Sequence, residues 1–265
     1  MDYEQLSNGI LMPKVGFGVY QISREDTVSN VVAALDRGYR HIDTARNYGN
    51  ETEVGTAIRK SGVSRNELFI TTKIYGATTY EAACQMIDEA LEKLQVDYID
   101  LLLFHWPSGN MVETYRAMED YYSSGRLKSI GLSNFYRTDF DKIIRSSTIV
   151  PMVNQVEAHV FMQQREFQQK MDNHTVKLVA WSPLGSGKNG IFLNKTLRSI
   201  GKVHHKTTAQ VALRFLLQSG FSIIPKTTHV ERMKENLAVF DFQLTDKEMI
   251  EIKSLDTEKS LFGWY

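Results

Sequence analysis

The stretch Tyr39-Arg40-His41-Ile42-Asp43-Thr44-Ala45 is a short β-rich run that closes on polar residues, and Asn50 stands beyond it as a helix cap or turn residue. The same unit recurs outward in both directions. Val15 to Gln21, Leu68 to Ile74, Tyr98 to Trp106, Leu127 to Asn134, Met152 to His159, Lys177 to Leu184 and Phe221 to Thr227 are the other strand candidates, about eight in all. Between them apolar residues return at spacings of three and four: Val28, Val31, Val32 and Leu35; Ala83, Met86, Ile87, Ala90, Leu91 and Leu94; Val211, Leu213, Phe215 and Leu216. These predict amphipathic crossover helices. Asp26 and Ser133-Asn134 serve as further caps or turn residues, and Ser64-Arg65-Asn66-Glu67 and Gly125 mark returns from helix to strand.

Alternating strands and helices without a Pro/Gly/Ser linker predict one α/β domain over residues 1–265, and eight strands is the number that closes a parallel (β/α)8 TIM barrel. A doubly wound sheet would require a switch point that the sequence does not reveal, although periodicity alone does not exclude it. Ser7-Asn8-Gly9, between Tyr3 to Leu6 and Ile10 to Met12, predicts an N-terminal β-hairpin plugging one end.

Composition bounds the function. With 265 residues, 42% hydrophobic, the chain can bury a core without disulfide or metal staples. The one cysteine, Cys84, has no partner for an internal disulfide, and the start Met1-Asp2-Tyr3-Glu4-Gln5 lacks a signal-peptide pattern, so a cytoplasmic protein is expected. No apolar run approaches the roughly 18 residues of a spanning helix, which points away from a membrane. Lys+Arg and Asp+Glu balance at 31 each, which points away from nucleic acid. The balance hides an asymmetry: no Asp or Glu occurs from Asn173 to Val230, where Lys177, Lys188, Lys195, Arg198, Lys202, Lys206, Arg214 and Lys226 all fall. That is either a solvated basic face or a local anion site, for a phosphate group above all.

In such a barrel the working residues lie at the C-terminal ends of strands, where the loops open to solvent. Asp43 ends the second predicted strand, Lys73 the third and His105 the fourth, with Tyr48 five residues beyond Asp43. Each alone has an ordinary structural role, as a cap, a solvated cation or a core histidine. Together they are coherent chemistry. A buried Lys73 needs the Asp43 carboxylate, and its charge beside the Tyr48 hydroxyl is expected to lower that pKa towards neutrality and make Tyr48 a general acid. His105 could hydrogen-bond a substrate carbonyl oxygen. An electron source is then needed from a cofactor.

These residues carry a resemblance. Gly38-Tyr39-Arg40-His41-Ile42-Asp43-Thr44-Ala45 followed by Tyr48, Glu51 and Gly55, then Thr71-Thr72-Lys73, His105-Trp106-Pro107, Gly131-Leu132-Ser133-Asn134-Phe135, Asn154-Gln155-Val156-Glu157, Trp181-Ser182-Pro183-Leu184-Gly185 and Ile224-Pro225-Lys226-Thr227 follow one order across nearly the whole chain. The chain resembles the aldo-keto reductase superfamily of NADPH-dependent carbonyl reductases. The resemblance implies Asp43, Tyr48, Lys73 and His105 as a catalytic tetrad. It also implies Ser133, Asn134 and Gln155 on the nicotinamide amide, Trp181 stacked on its ring, and Ser182, Leu184 and Ser186 beside the pyrophosphate. Lys226, Thr227 and Arg232 would hold the 2′-phosphate, and Glu235 with Asn236 the adenine. Many members have Tyr where Trp181 stands, and either ring can stack. NADPH/NADP+ is therefore the expected cofactor.

Tyr20, Trp106 beside His105, and the final Leu261-Phe262-Gly263-Trp264-Tyr265 are the expected pocket walls. The short loop Pro107 to Asn110 and the short tail resemble the compact microbial branch, whose members reduce small aldehydes, dicarbonyls and keto sugars. A small carbonyl compound is the expected partner, and a monomer the expected state. Two other readings stay open: a Schiff-base aldolase using Lys73, and a protein that holds NADPH as a sensor. Gly185-Ser186-Gly187-Lys188-Asn189-Gly190 fits a dinucleotide-loop pattern but lacks the acidic residue about 20 positions on, and reads instead as a flap over the pyrophosphate. His204-His205, with no carboxylate or thiol beside them in sequence, are assigned no metal.

Overall fold

The computed structural model describes residues 2–264. The expected hairpin forms from β1 (Tyr3–Gln5) and β2 (Leu11–Pro13), antiparallel with Tyr3 opposite Pro13. Eight parallel strands follow in spatial order: β3 (Phe17–Gly18), β4 (His41–Asp43), β5 (Phe69–Ile74), β6 (Leu101–Phe104), β7 (Ile130–Ser133), β8 (Val153–Glu157), β9 (Lys177–Trp181) and β10 (Ser222–Ile223). The sheet then closes on itself. Val15 bridges Ile223 in parallel, the Gly16 amide donates to the Ile223 carbonyl at 2.8 Å, and the Gly18 amide donates to the Pro225 carbonyl at 3.2 Å. Continuous order and closure exclude a doubly wound sheet.

All eight expected strands are present but shorter than the β-rich runs. The residues beyond each ladder, such as Trp106 and His159, have turned into the loops. The helices are α1 (Arg24–Asp36), α2 (Glu51–Lys60), α3 (Tyr80–Leu94), α4 (Met111–Ser123), α5 (Arg137–Ser146), α6 (Arg165–Asn173), α7 (Lys195–His204), α8 (Thr208–Gln218), α9 (Val230–Leu237) and α10 (Asp246–Lys253). Of the expected caps, Asp26 is displaced and Asn50 holds the N-cap position of α2 without a side-chain cap bond. Ser23 caps α1 and accepts the Asp26 amide, leaving Asp26 in the first turn. Asn50 precedes α2, but its amide donates to the Val19 carbonyl and its oxygen accepts from Thr44, so it ties loops together.

The period of two along each strand sorts side chains into layers. Ile42, Ile70, Leu102 and Phe104 face outward into the large core under the helices. Phe69, Leu101, Leu103, Val153 and Val179 face inward, where Leu6 and Met12 of the hairpin segment plug the floor. Continuing the inward parity upward gives Asp43, Lys73, His105, Ser133, Gln155 and Trp181. The interior thus passes from apolar at the floor to polar at the C-terminal mouth, as an alternating pattern must when its last inward residue is ionisable. Gly131 is required for this closeness: a Cβ there would lie 2.5 Å from the Val153 carbonyl oxygen.

Candidate active site

The four expected catalytic residues meet at the mouth. Lys73 is fully buried, and its Nζ donates to Asp43 Oδ1 at 2.5 Å, to the Thr44 carbonyl at 2.9 Å and to the Tyr48 hydroxyl at 3.4 Å. Gln155 donates to the other Asp43 oxygen at 2.8 Å. Asp43 therefore neutralises the ammonium while its second oxygen is satisfied, the condition for an ion pair to be tolerated out of water. Tyr48 sits in a 3-10 turn (Arg46–Tyr48) with its ring 5.0 Å from Lys73 Nζ, 4.9 Å from the Tyr20 ring and 5.9 Å from the His105 ring.

Burial sets the charge states. It lowers the Lys73 pKa, against the opposing pull of Asp43. The Tyr48 pKa lies well above its ordinary value, raised by burial first and then by the Asp43 carboxylate. The expected lowering by Lys73 is not met, because the cost of a buried phenolate outweighs it and the Asp43 carboxylate acts in the same direction as burial. Tyr48 is thus a firmly protonated phenol. His105 is held down to about 2 by burial and by Lys73, so it is a neutral imidazole, and its Nδ1 is buried without a hydrogen-bond partner.

One ring packed against His105 is a residue that the sequence does not single out. Tyr75, just beyond β5, stacks on His105 at 5.3 Å and 26°, while the expected Tyr20 packs on Tyr48; Trp106 lies 6.4 Å from His105. Tyr75 could have been found by the rule that supplied Lys73, since it stands two residues further along the same strand direction. Tyr265 lies outside the described residues.

The expected cofactor residues occupy the adjoining half of the rim. Asn134, in the left-handed region at φ 62, donates to the His105 carbonyl at 3.2 Å and accepts from Trp181 Nε1 at 2.8 Å. That fixes the Trp181 ring beside the tetrad. Ser133 and Gln155 are buried next to it. The Ser182 and Ser186 hydroxyls lie 3.0 Å apart at the entrance to the glycine-rich loop, and Leu184 leans on the core. Lys226, in the loop before α9, and Arg232, in its first turn, are exposed, neither forming an ion pair among the described residues, and Thr227 beside Lys226 is buried. Glu235 accepts from Thr207, and Asn236 is buried. This set fits a phosphorylated dinucleotide: unpaired cations lie at one end, an immobilised aromatic face at the other, and hydroxyls between.

The charge asymmetry is smaller in space than in sequence. Lys177 pairs with Glu4, Lys206 with Asp241, and His204 with Glu248 at 2.8 Å. The carboxylate absent beside His204 in sequence arrives from α10 and makes a helix-to-helix tie. His205 closes α7 in the left-handed region.

The sequence model of the Aldo/keto reductase family matches residues 14–257. The chain belongs to the aldo/keto reductase family. It is 42% identical over 262 residues to a 9,11-endoperoxide prostaglandin H2 reductase of Trypanosoma cruzi, covering 97% of this chain and 93% of that protein. A glyoxal reductase of Bacillus subtilis is 40% identical over 261 residues, covering 97% and 94%. The crystal structure of an aldo/keto reductase from Brucella melitensis superposes with a TM-score of 0.92 at 41% identity, covering 96% of this chain and 99% of that one. This aldo/keto reductase is accordingly an oxidoreductase of carbonyl groups.

Proposed function

We propose that the protein reduces small aldehydes and dicarbonyls, keto sugars included, with NADPH, and that Tyr48 is the general acid. The observation that carries the reading is the convergence of Tyr48, the buried Lys73–Asp43 pair and neutral His105 on one point of the mouth. Glyoxal and methylglyoxal reductases among the relatives support a dicarbonyl substrate. So do the aromatic walls Tyr20, Tyr75 and Trp106, which suit a small planar carbonyl compound.

Bound NADPH would supply a hydride to the carbonyl carbon. The chain's own residues handle the oxygen. The neutral His105 ring has one N–H; carried on Nε2, the nitrogen opposite the sealed Nδ1, it holds the carbonyl oxygen towards Tyr48. As negative charge develops there, the Tyr48 proton passes to it, since an alkoxide is more basic than a phenolate. Lys73, 3.4 Å away, stabilises the phenolate left behind. Trp181, held by Asn134, would present its face to the nicotinamide, with Ser133 and Gln155 at the amide. Ser182, Leu184 and Ser186 would border the pyrophosphate, and Lys226, Thr227 and Arg232 would take the 2′-phosphate.

The aldolase reading requires a free amine on Lys73. Its Nζ already faces three oxygens from inside a fully buried position, which weighs against it. The one cysteine supports a cytoplasmic location, and among the described residues no helix is long and apolar enough to cross a membrane. We take the monomer as the working unit, because all four tetrad residues come from one chain.

The test is loss of NADPH absorbance with a panel of aldehydes and dicarbonyls, on the wild type and Tyr48→Phe. Turnover that falls at least about a hundredfold in the variant is expected. Equal turnover in both overturns the role of Tyr48, and bound NADPH with no turnover in either favours the sensor.

A further inference from the structure

Above the tetrad layer, two side chains of the β8 end are buried without a part in the chemistry. Glu157 and His159 are both fully buried, and a carboxylate so placed needs donors. Glu157 finds one in its own segment and two in the C-terminal tail. His159 Nε2 lies 2.9 Å from Glu157 Oε1, and because His159 Nδ1 accepts the Phe161 amide, the ring proton is on Nε2 and is donated to Glu157. The Leu261 amide donates to the same oxygen at 2.8 Å, and the Ser260 hydroxyl donates to Oε2 at 2.7 Å.

Ser260 is the hinge between anchor and tail. While its hydroxyl donates to Glu157, its oxygen accepts the Phe262 amide at 3.1 Å and the Gly263 amide at 2.9 Å, a side-chain turn that reverses the last residues. Gly263, at φ 65, completes the reversal. The consequence is where the aromatic rings land. Phe262 meets the Trp181 ring edge-on at 5.1 Å, and Trp264 stacks on it at 5.3 Å and 24°. Trp181 is bonded through Asn134 to the His105 backbone, so the tail rings pack on a residue tied to the rim of that mouth. From the loop side, Lys188 Nζ donates to the Leu261 carbonyl at 2.9 Å and lies 4.3 Å over the Phe262 ring.

The geometry points to Glu157 as a positioning residue for the carbonyl substrate: through Ser260 it locks the tail so that Phe262 and Trp264 form a wall of the mouth. This rests on the reductase reading for the substrate, but the lock itself can be read without turnover. A carboxylate is required because Oε2 must accept: an amide nitrogen facing Ser260 would compete with the two backbone amides already donating to that hydroxyl.

The experiment compares Glu157→Gln and Ser260→Ala, the second at the half-buried rim where folding is not at risk, with Trp264→Phe as the reference for an absent stack. The Trp181–Trp264 exciton couplet in circular dichroism should fall in both variants to the Trp264→Phe level. KM for the best carbonyl of the panel should rise about tenfold, with kcat within about twofold, since a wall and no reacting group is lost. Adding Trp264→Phe to Glu157→Gln should raise KM no further. Retention of the couplet in both variants, or an unchanged KM despite its loss, overturns the proposal. If the wild type turns over no carbonyl, the reductase reading falls, and couplet loss in Glu157→Gln and Ser260→Ala still establishes the lock.

Discussion

The two halves of the barrel mouth are built to opposite rules. On the β4–β6 side, Asp43 and Lys73 are sealed from water and bonded to each other and to Thr44 and Gln155 before any ligand arrives. On the β9–α9 side, Lys226, Arg232 and Ser186 stand in solvent, and Ser182, Ser186 and Asn189 hold left-handed backbone conformations in a loop rich in glycine. Groups that stabilise charge for an instant must already be oriented, because reorganising them during the reaction would add to the barrier. Groups that recognise a charged ligand gain from staying hydrated and unpaired until it binds, since a preformed ion pair would have to be broken first.

The contrast is broken most severely by Lys73→Met. Loss of about a thousandfold or more in kcat is expected, with NADPH affinity within about twofold, measured by steady-state turnover and by cofactor fluorescence. The variant also leaves Asp43 buried with Gln155 but no cation, so its melting temperature should fall. Asp43→Asn/Lys73→Met should recover stability and not activity; recovery of both would show that the pair matters only for folding.

Next in size is Arg232→Ala on the open side. NADPH should bind about ten- to a hundredfold more weakly, as expected for one lost charge-assisted contact, while NADH binding changes little. Equal weakening of both cofactors would move the 2′-phosphate elsewhere.

A separate expectation, read in stability and not in turnover, concerns pH. His41 is wholly buried, donating from Nδ1 to the Pro13 carbonyl and accepting from Thr71, and burial holds its pKa down to about 4. A histidine whose folded pKa is lowered binds fewer protons folded than unfolded, so its contribution is full above about pH 6.5 and is lost as pH falls towards 4. Stability should drop by about 1.4 kcal/mol per pH unit through that window from His41, and His105, lowered further, adds to the slope. Urea unfolding at several pH values should give a flatter profile for His41→Asn, and an unchanged slope would refute the assignment.

The strand count and the meeting of Asp43, Lys73 and His105 were legible because each of their strands ends in an ionisable residue where the loops open, and that pattern is local. Asp43, Lys73 and His105 could each be placed as the end of a predicted strand. What escaped was set by distance. The carboxylate partner of His204 comes from α10, and the tail's anchor Glu157 lies about a hundred residues before Ser260. The sign of the Tyr48 shift escaped for a related reason. The shift is set first by how deeply the phenol is buried, which depends on the segments that pack round it and which no spacing in sequence encodes. Ser23 displaced Asp26 as a cap because either residue fits the start signal of α1, and the geometry of one turn decided between them.

The seam between β3 and β10 has a bearing on how the chain is made. These are its two shortest barrel strands, and they join residues about 200 positions apart. Until Ile223 and Pro225 have been synthesised, the amides of Gly16 and Gly18 lack these partners, and the nascent sheet carries two open edges. Closure therefore waits for the C-terminal part of the chain, and a chain arrested before residue 222 leaves both edges unpaired and prone to aggregate. Ribosome pausing or truncation in the last fifth of the chain should be far more damaging than the two-residue length of β10 suggests.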